Sequence, residues 1–209
     1  MIDLYAITDD PAPPLPDVGP LSAVASHGLA VVCGPTSEDP SELTPEVLWR
    51  HEEVVEALME DRDLLPVRFG TRVHDETAAA RALGERHREL AGALERVRGA
   101  VELSLRVIGQ RDAAPTTPST GADYLRAKAR SVAAHEDAVR TLHRPLASYA
   151  RASTELPSRD SGEVLRAAYL VERGRVASFV ERVGALQADN PEMRLLCTGP
   201  WPPYSFTEP

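Results

Sequence analysis

Between residues 101 and 198 the hydrophobic period switches repeatedly between two and 3.6, and that order limits the folds open to the chain more than any single motif does. Val101, Leu103, Leu105 and Val107 alternate with Glu102, Ser104, Arg106 and Ile108, the period of a strand. A helical pattern runs from Ala122 to about Ala152 through Leu125, Val132, Val139, Leu142, Leu146 and Tyr149, with Pro145 forcing a kink or break near Arg144. Residues 152–157 read as a short strand, 158–162 as a turn, and 163–172 as a strand through Val164, Leu165, Tyr169, Leu170 and Val171. Val176, Phe179, Val180, Val183 and Leu186 then fall at helical spacing, Asn190-Pro191 ends that helix, and residues 193–198 form the last strand. Strand, helix, strand, strand, helix, strand is the split β-α-β pattern of a ferredoxin-like domain.

That last strand leads into Gly199-Pro200-Trp201-Pro202-Pro203-Tyr204-Ser205-Phe206. Three prolines remove three backbone donors and hold the segment extended, so it can be neither helix nor inner strand. Its aromatic rings need a surface to lie on. The expectation is an intramolecular clasp in which Trp201 or Tyr204 is largely buried.

The first half reads as a separate α+β domain. Residues 2–8 have strand period, 9–20 are a proline-rich loop, and two short β-prone runs flank His27-Gly28 as a hairpin. Thr44, Pro45 and Glu46 mark a helix start, after which Val47, Leu48, His51, Val54, Val55 and Leu58 share one face. His51 in that apolar stripe reads as a hydrogen-bonded core residue, because no second His or Cys lies one turn away. Residues 64–71, Leu-Leu-Pro-Val-Arg-Phe-Gly-Thr, read as a strand whose Pro66 confines it to an edge and whose Gly70 marks a bend. Arg68 amid apolar neighbours calls for a carboxylate, and Glu102 on the next strand is the expected partner. One helix is expected from about Asp75 to Val97, weakened by Gly84 and Gly92. The domain boundaries are set at 1–98 and 99–209. Residues 110–121, rich in Pro, Thr, Ala and Ser, read as a loop without chemistry.

A charge of -9 and a single lysine, Lys128, argue against nucleic acid as a partner. Cys33 and Cys197 form no metal or redox spacing and read as packing residues. No apolar run reaches the ~20 residues a membrane helix needs, so no membrane insertion is expected, and the start of the chain lacks signal-peptide character. Nucleotide, hydrolase and kinase signatures are absent, and six scattered histidines make no triad or metal pair: Glu136 follows His135, but His143 is eight residues on, outside H-E-x-x-H spacing. No catalytic residue, cofactor or metal is expected.

Leu65-Pro66-Val67-Arg68-Phe69-Gly70-Thr71, Gly121-Ala122-Asp123-Tyr124-Leu125 with Lys128, Tyr169-Leu170-Val171 with Phe179, and Gly199 to Phe206 together resemble the gas vesicle protein family that groups proteins F and L (GvpF/GvpL). The resemblance implies an α+β protein of two domains, the second a modified ferredoxin-like (βαββαβ) fold with an extended Pro/aromatic tail. It implies a non-enzymatic accessory role in gas vesicle formation, in the cytoplasm or at the vesicle. The implied partners are the hydrophobic shell protein and other accessory gas vesicle proteins. A minor structural part retained in the finished vesicle is the second reading, and a small-molecule enzyme with a deep pocket gathering Arg68, a histidine and an acid is the third. The candidate interaction or structural residues are Pro66, Arg68, Phe69, Gly70 and Glu102, with Trp201, Pro203, Tyr204 and Phe206 from the ending.

Overall fold

The computed structural model describes residues 1–10, 14–36, 44–109, 120–160 and 162–207. It is a mixed α/β structure with two antiparallel sheets. The elements run β1 (Ile2–Asp9), β2 (Ser22–Ser26), β3 (Leu29–Pro35), α1 (Pro45–Met59), β4 (Leu65–Pro66), β5 (Arg72–Val73), α2 (Glu76–Glu85), α3 (His87–Val97) and β6 (Ala100–Gly109). They continue as α4 (Gly121–Ala138), a π-helical turn (Val139–His143), α5 (Arg144–Ala147), β7 (Ala152–Glu155), β8 (Glu163–Glu172), α6 (Val176–Asp189) and β9 (Met193–Trp201).

Contacts divide the chain into two compact units, Met1–Val101 with Trp201–Pro209, and Glu102–Pro200. The sequence reading cut at 98/99 and gave the whole ending to the second domain. Residues from Trp201 on group instead with the first unit, where Tyr204 bonds Glu52 of α1.

In the first unit the sheet order is β2-β3-β1-β4, with β5 also on β1. His27 (φ 55) and Gly28 (φ 81) form the two-residue turn of the β2–β3 hairpin, both with the positive φ that suits the strands' twist. The register of β1 on β3 shifts between Leu4 and Ala6, so Tyr5 sits in a bulge and its carbonyl accepts from the Val67 N–H at 2.8 Å. Val31, Val32, Cys33, Val54, Val55 and Leu58 are fully buried and belong to this unit's core.

Two expectations for this unit change. Residues 64–71 make only the two-residue strand β4, because Gly70 (φ 81) turns the chain into β5. The single helix over 75–97 is two, broken at Arg86, whose φ of -108 and ψ of 13 leave the helical region. Gly84 has a packing reason, since a Cβ there would lie 3.1 Å from the His27 ring.

In the second unit the sheet order is β7-β8-β6-β9, with β7 antiparallel to β8. Tyr169, Phe179, Leu103, Leu105, Leu142 and Leu146 are fully buried, and the Tyr169 and Phe179 rings pack at 5.0 Å. Near Arg144, where a kink or break is expected, the helical chain runs on through an irregular turn. Pro145 cannot donate to the preceding turn, and the chain accommodates it with a π-helical turn in which the Arg144 N–H reaches back five residues to the Val139 carbonyl. The Glu163 side chain is wholly buried. Burial alone would push its carboxyl up, but bonds from Arg106 (2.7 Å), the Arg159 N–H (2.7 Å) and Ser158 outweigh it and hold the carboxyl below its ordinary range.

Candidate interaction surfaces

The Leu65 to Thr71 piece is used up by the first unit's own packing. Leu65 and Pro66 are buried opposite Ile7 and Ala6 of β1, and the Val67 carbonyl accepts from His51 Nε2 at 2.9 Å. His51 is buried between the Tyr5 ring at 5.2 Å and the Phe69 ring at 5.5 Å. Burial pushes its pKa below the usual histidine value, against the opposing bond to Val67. Its core role, expected from the apolar stripe, is what the geometry shows.

Tyr5, Arg50, His51, Phe69 and Gly70 also line a cavity of about 270 Å³ within this unit. Asp3 on its wall is held by Arg72 at 2.7 Å, and His51 is committed to a carbonyl. Arg68 is exposed in the bend and does not line the cavity. Glu102, its expected partner, is buried in β6. Among the described residues no three His, Cys, Asp or Glu side chains gather where a metal could be held.

The ending lies on α1. Pro202 and Pro203 are buried, and residues 204–206 form a single helical turn closed by the Phe206 N–H on the Pro203 carbonyl at 3.1 Å. The Tyr204 hydroxyl donates to Glu52 of α1 at 3.3 Å. Burial, then the carboxylates of Glu52 and Glu56, push that hydroxyl's pKa up. Phe206 is half-buried, whereas Trp201 stays 40% exposed. The clasp therefore rests on the two prolines and Tyr204, and Trp201 is left facing outward.

Two surfaces remain largely exposed. On α1, Trp49 is 67% exposed and lines a shallow groove with Glu53, Glu56 and Glu60, which follow it at helical spacing, and with Glu52, which accepts from the Tyr204 hydroxyl. Leu48, expected in the buried stripe, is exposed beside Trp49. In the second unit α4 starts at Thr120, whose side chain caps the Asp123 N–H at 3.1 Å. Tyr124, Leu125 and Val132 are each at least half exposed, and Ala138 is the only fully buried residue of α4. The sequence placed Leu125 and Val132 in a core stripe with Leu142 and Leu146. Only the latter pair is buried, because α4 meets the rest of its unit near its C-terminal end, where His135 Nδ1 donates to the Val164 carbonyl at 3.0 Å.

The Trp49 face escaped sequence reading. Its signal was the turn-by-turn spacing of Trp49, Glu53, Glu56 and Glu60, which does not distinguish a solvated face from a docking face.

Comparison with known proteins places these features in a family. The chain matches the family described as gas vesicle synthesis protein GvpL/GvpF over residues 3–208. It is 35% identical to gas vesicle protein L of a Streptomyces species over 179 residues, which span 75% of this chain and 66% of that protein. It is 25% identical to gas vesicle protein F1 of Halobacterium salinarum over 86% of this chain and 76% of that one. In fold it resembles the crystal structure of GvpF from an Anabaena species (TM-score 0.82, 18% identity, covering 100% of this chain and 96% of that one). GvpF from Microcystis aeruginosa is similar too, with a TM-score of 0.78 at 18% identity, covering 100% and 99%. The chain belongs to the GvpL/GvpF family of gas vesicle synthesis proteins.

Proposed function

We propose that this protein is a non-enzymatic accessory of gas vesicle formation that binds the small apolar shell subunit, and other accessory gas vesicle proteins, to chaperone or nucleate assembly. The family match over residues 3–208 carries this reading. An apolar shell subunit made in water aggregates unless its surface is covered before it joins the shell. Two features of the fold suit that task. Among the described residues β9 ends the order of its sheet, the position at which an extended partner segment adds to a sheet. Trp201, where β9 ends, presents an exposed aromatic ring.

We read the two compact units as two domains, and the second as a modified ferredoxin-like fold. The element order β6, α4, β7, β8, α6, β9 and the sheet order β7-β8-β6-β9 support it. Its place of work is the cytoplasm, at the forming vesicle. Among the described residues no helix is long and apolar enough to cross a membrane.

Co-expression with the shell protein tests the reading. The expected result is a larger soluble fraction of shell protein that co-purifies with this chain. Absence of both binding and any change in solubility would overturn it. Retention on floated, washed vesicles would assign instead a structural part of the finished shell.

A further inference from the structure

The outward face of α1 and the first turns of α4 are opposite in charge and alike in length. From Pro45 to Glu60 the α1 segment carries Glu46, Glu52, Glu53, Glu56 and Glu60 against Arg50, five acids and one guanidinium. From Gly121 to Ala133 the α4 segment carries Arg126, Lys128 and Arg130 against one acid, Asp123, which is bonded to Arg126 at 3.1 Å. That excess of two positive charges stands on a protein of net charge -9. At 1.5 Å per residue each exposed stretch is about 20 Å long.

The shapes also suit. Around the α4 axis Leu125, Ala129 and Val132 form one stripe, with Lys128 on one flank and Arg126 on the other. Ala129 leaves a hollow between Leu125 and Val132, and Lys128 and Arg126 stand at its rim. On α1, Trp49 is a single large knob followed turn by turn by Glu53, Glu56 and Glu60. A Trp seated over Ala129 would cover apolar surface on both helices and put its ring beside two cations, whose charged ends reach the glutamates. Leu125 belongs to one of the family-motif pieces yet is 65% exposed.

We propose that the Trp49 and glutamate face of α1 docks on the Leu125–Ala129–Val132 stripe of α4 in a second copy of this chain. Because the two patches differ, reciprocal docking closes a two-fold dimer, whereas a single docking leaves one patch free on each copy to extend a ring or an open chain. Two helix faces of this length bury less than the roughly 1,000 Å² of a stable interface, so association is concentration-dependent and weakened by salt. It is independent of whether the shell subunit is a partner.

Sedimentation velocity of the full chain tests it, at low micromolar and at high concentration, in about 0.05 M and about 0.5 M salt. The expected wild-type result is a monomer when dilute, larger species when concentrated at low salt, and their loss at high salt. The paired reversals Glu53→Lys with Glu56→Lys, and Arg126→Glu with Lys128→Glu, should each weaken self-association by more than about tenfold. Mixing the two reversed proteins should restore it, as should placing all four reversals in one chain. Circular dichroism establishes that each variant is folded, and Trp49→Ala supplies an uncharged variant that should also stay monomeric. A wild type that stays monomeric throughout, or a mixture of reversed proteins that does not associate, would overturn the proposal.

Discussion

The Leu65 to Thr71 segment and the start of α4 both resemble the same family, and the molecule treats them in opposite ways. Leu65 and Pro66 are buried, the Val67 backbone is bonded on both its N–H and its carbonyl, and Gly70 turns the chain. Tyr124 and Leu125 stand on a capped helix with more than half of each side chain in solvent. The first segment is taken up by the unit's own packing and hydrogen bonds. Folding makes no comparable demand on the second, so its residues are available for association. A conspicuous stretch of sequence is therefore not by itself a binding site. The ending makes the same point, since Pro202 and Pro203 are buried, Tyr204 bonds α1, and Trp201 is the most exposed of its rings.

Substitutions sharpen this contrast. The largest effect is expected for Leu65→Ala, which empties a site only 3% exposed and should cost about 2–5 kcal/mol in urea unfolding.

His51 comes next. Its folded pKa is depressed by burial, so the unfolded chain takes up the proton first. The stability of the neutral ring is fully present above the unfolded value of about 6.5, and it is lost as pH falls from there towards the folded pKa. His143 of the second unit, also depressed by burial, acts in the same direction. Thermal midpoints between neutral and mildly acidic pH should fall for the wild type and fall less for His51→Gln. Equal slopes would remove His51 from this account.

Tyr204→Phe deletes one long, partly solvated hydrogen bond to Glu52 and should cost no more than about 1 kcal/mol. The ring would keep its place on α1, so Trp201 fluorescence should hardly shift.

The sequence made the second unit's element order legible because its strands and helices are long enough to show their period. The ten-residue strand β6 alternates through Val101, Leu103, Leu105 and Val107, and the equally long β8 shows a run of apolar residues from Ala167 to Val171. β4 and β5 were not legible, since two residues carry no period. The break at Arg86 left no proline to announce it. The exposure of Leu125 and Val132 was hidden for a different reason: helical spacing shows that residues share a face, but not whether anything covers it. For the same reason Trp49 and its glutamates could be read only once α1 had a buried side and a free one.

The most direct test compares Leu65→Ala with Leu125→Ala in parallel urea titrations followed by circular dichroism. The expected result is a marked fall in the first unfolding midpoint and a change within about 0.5 kcal/mol for the second, as for other surface positions. Equal losses for the two variants would contradict the division between a segment kept for folding and one free for association.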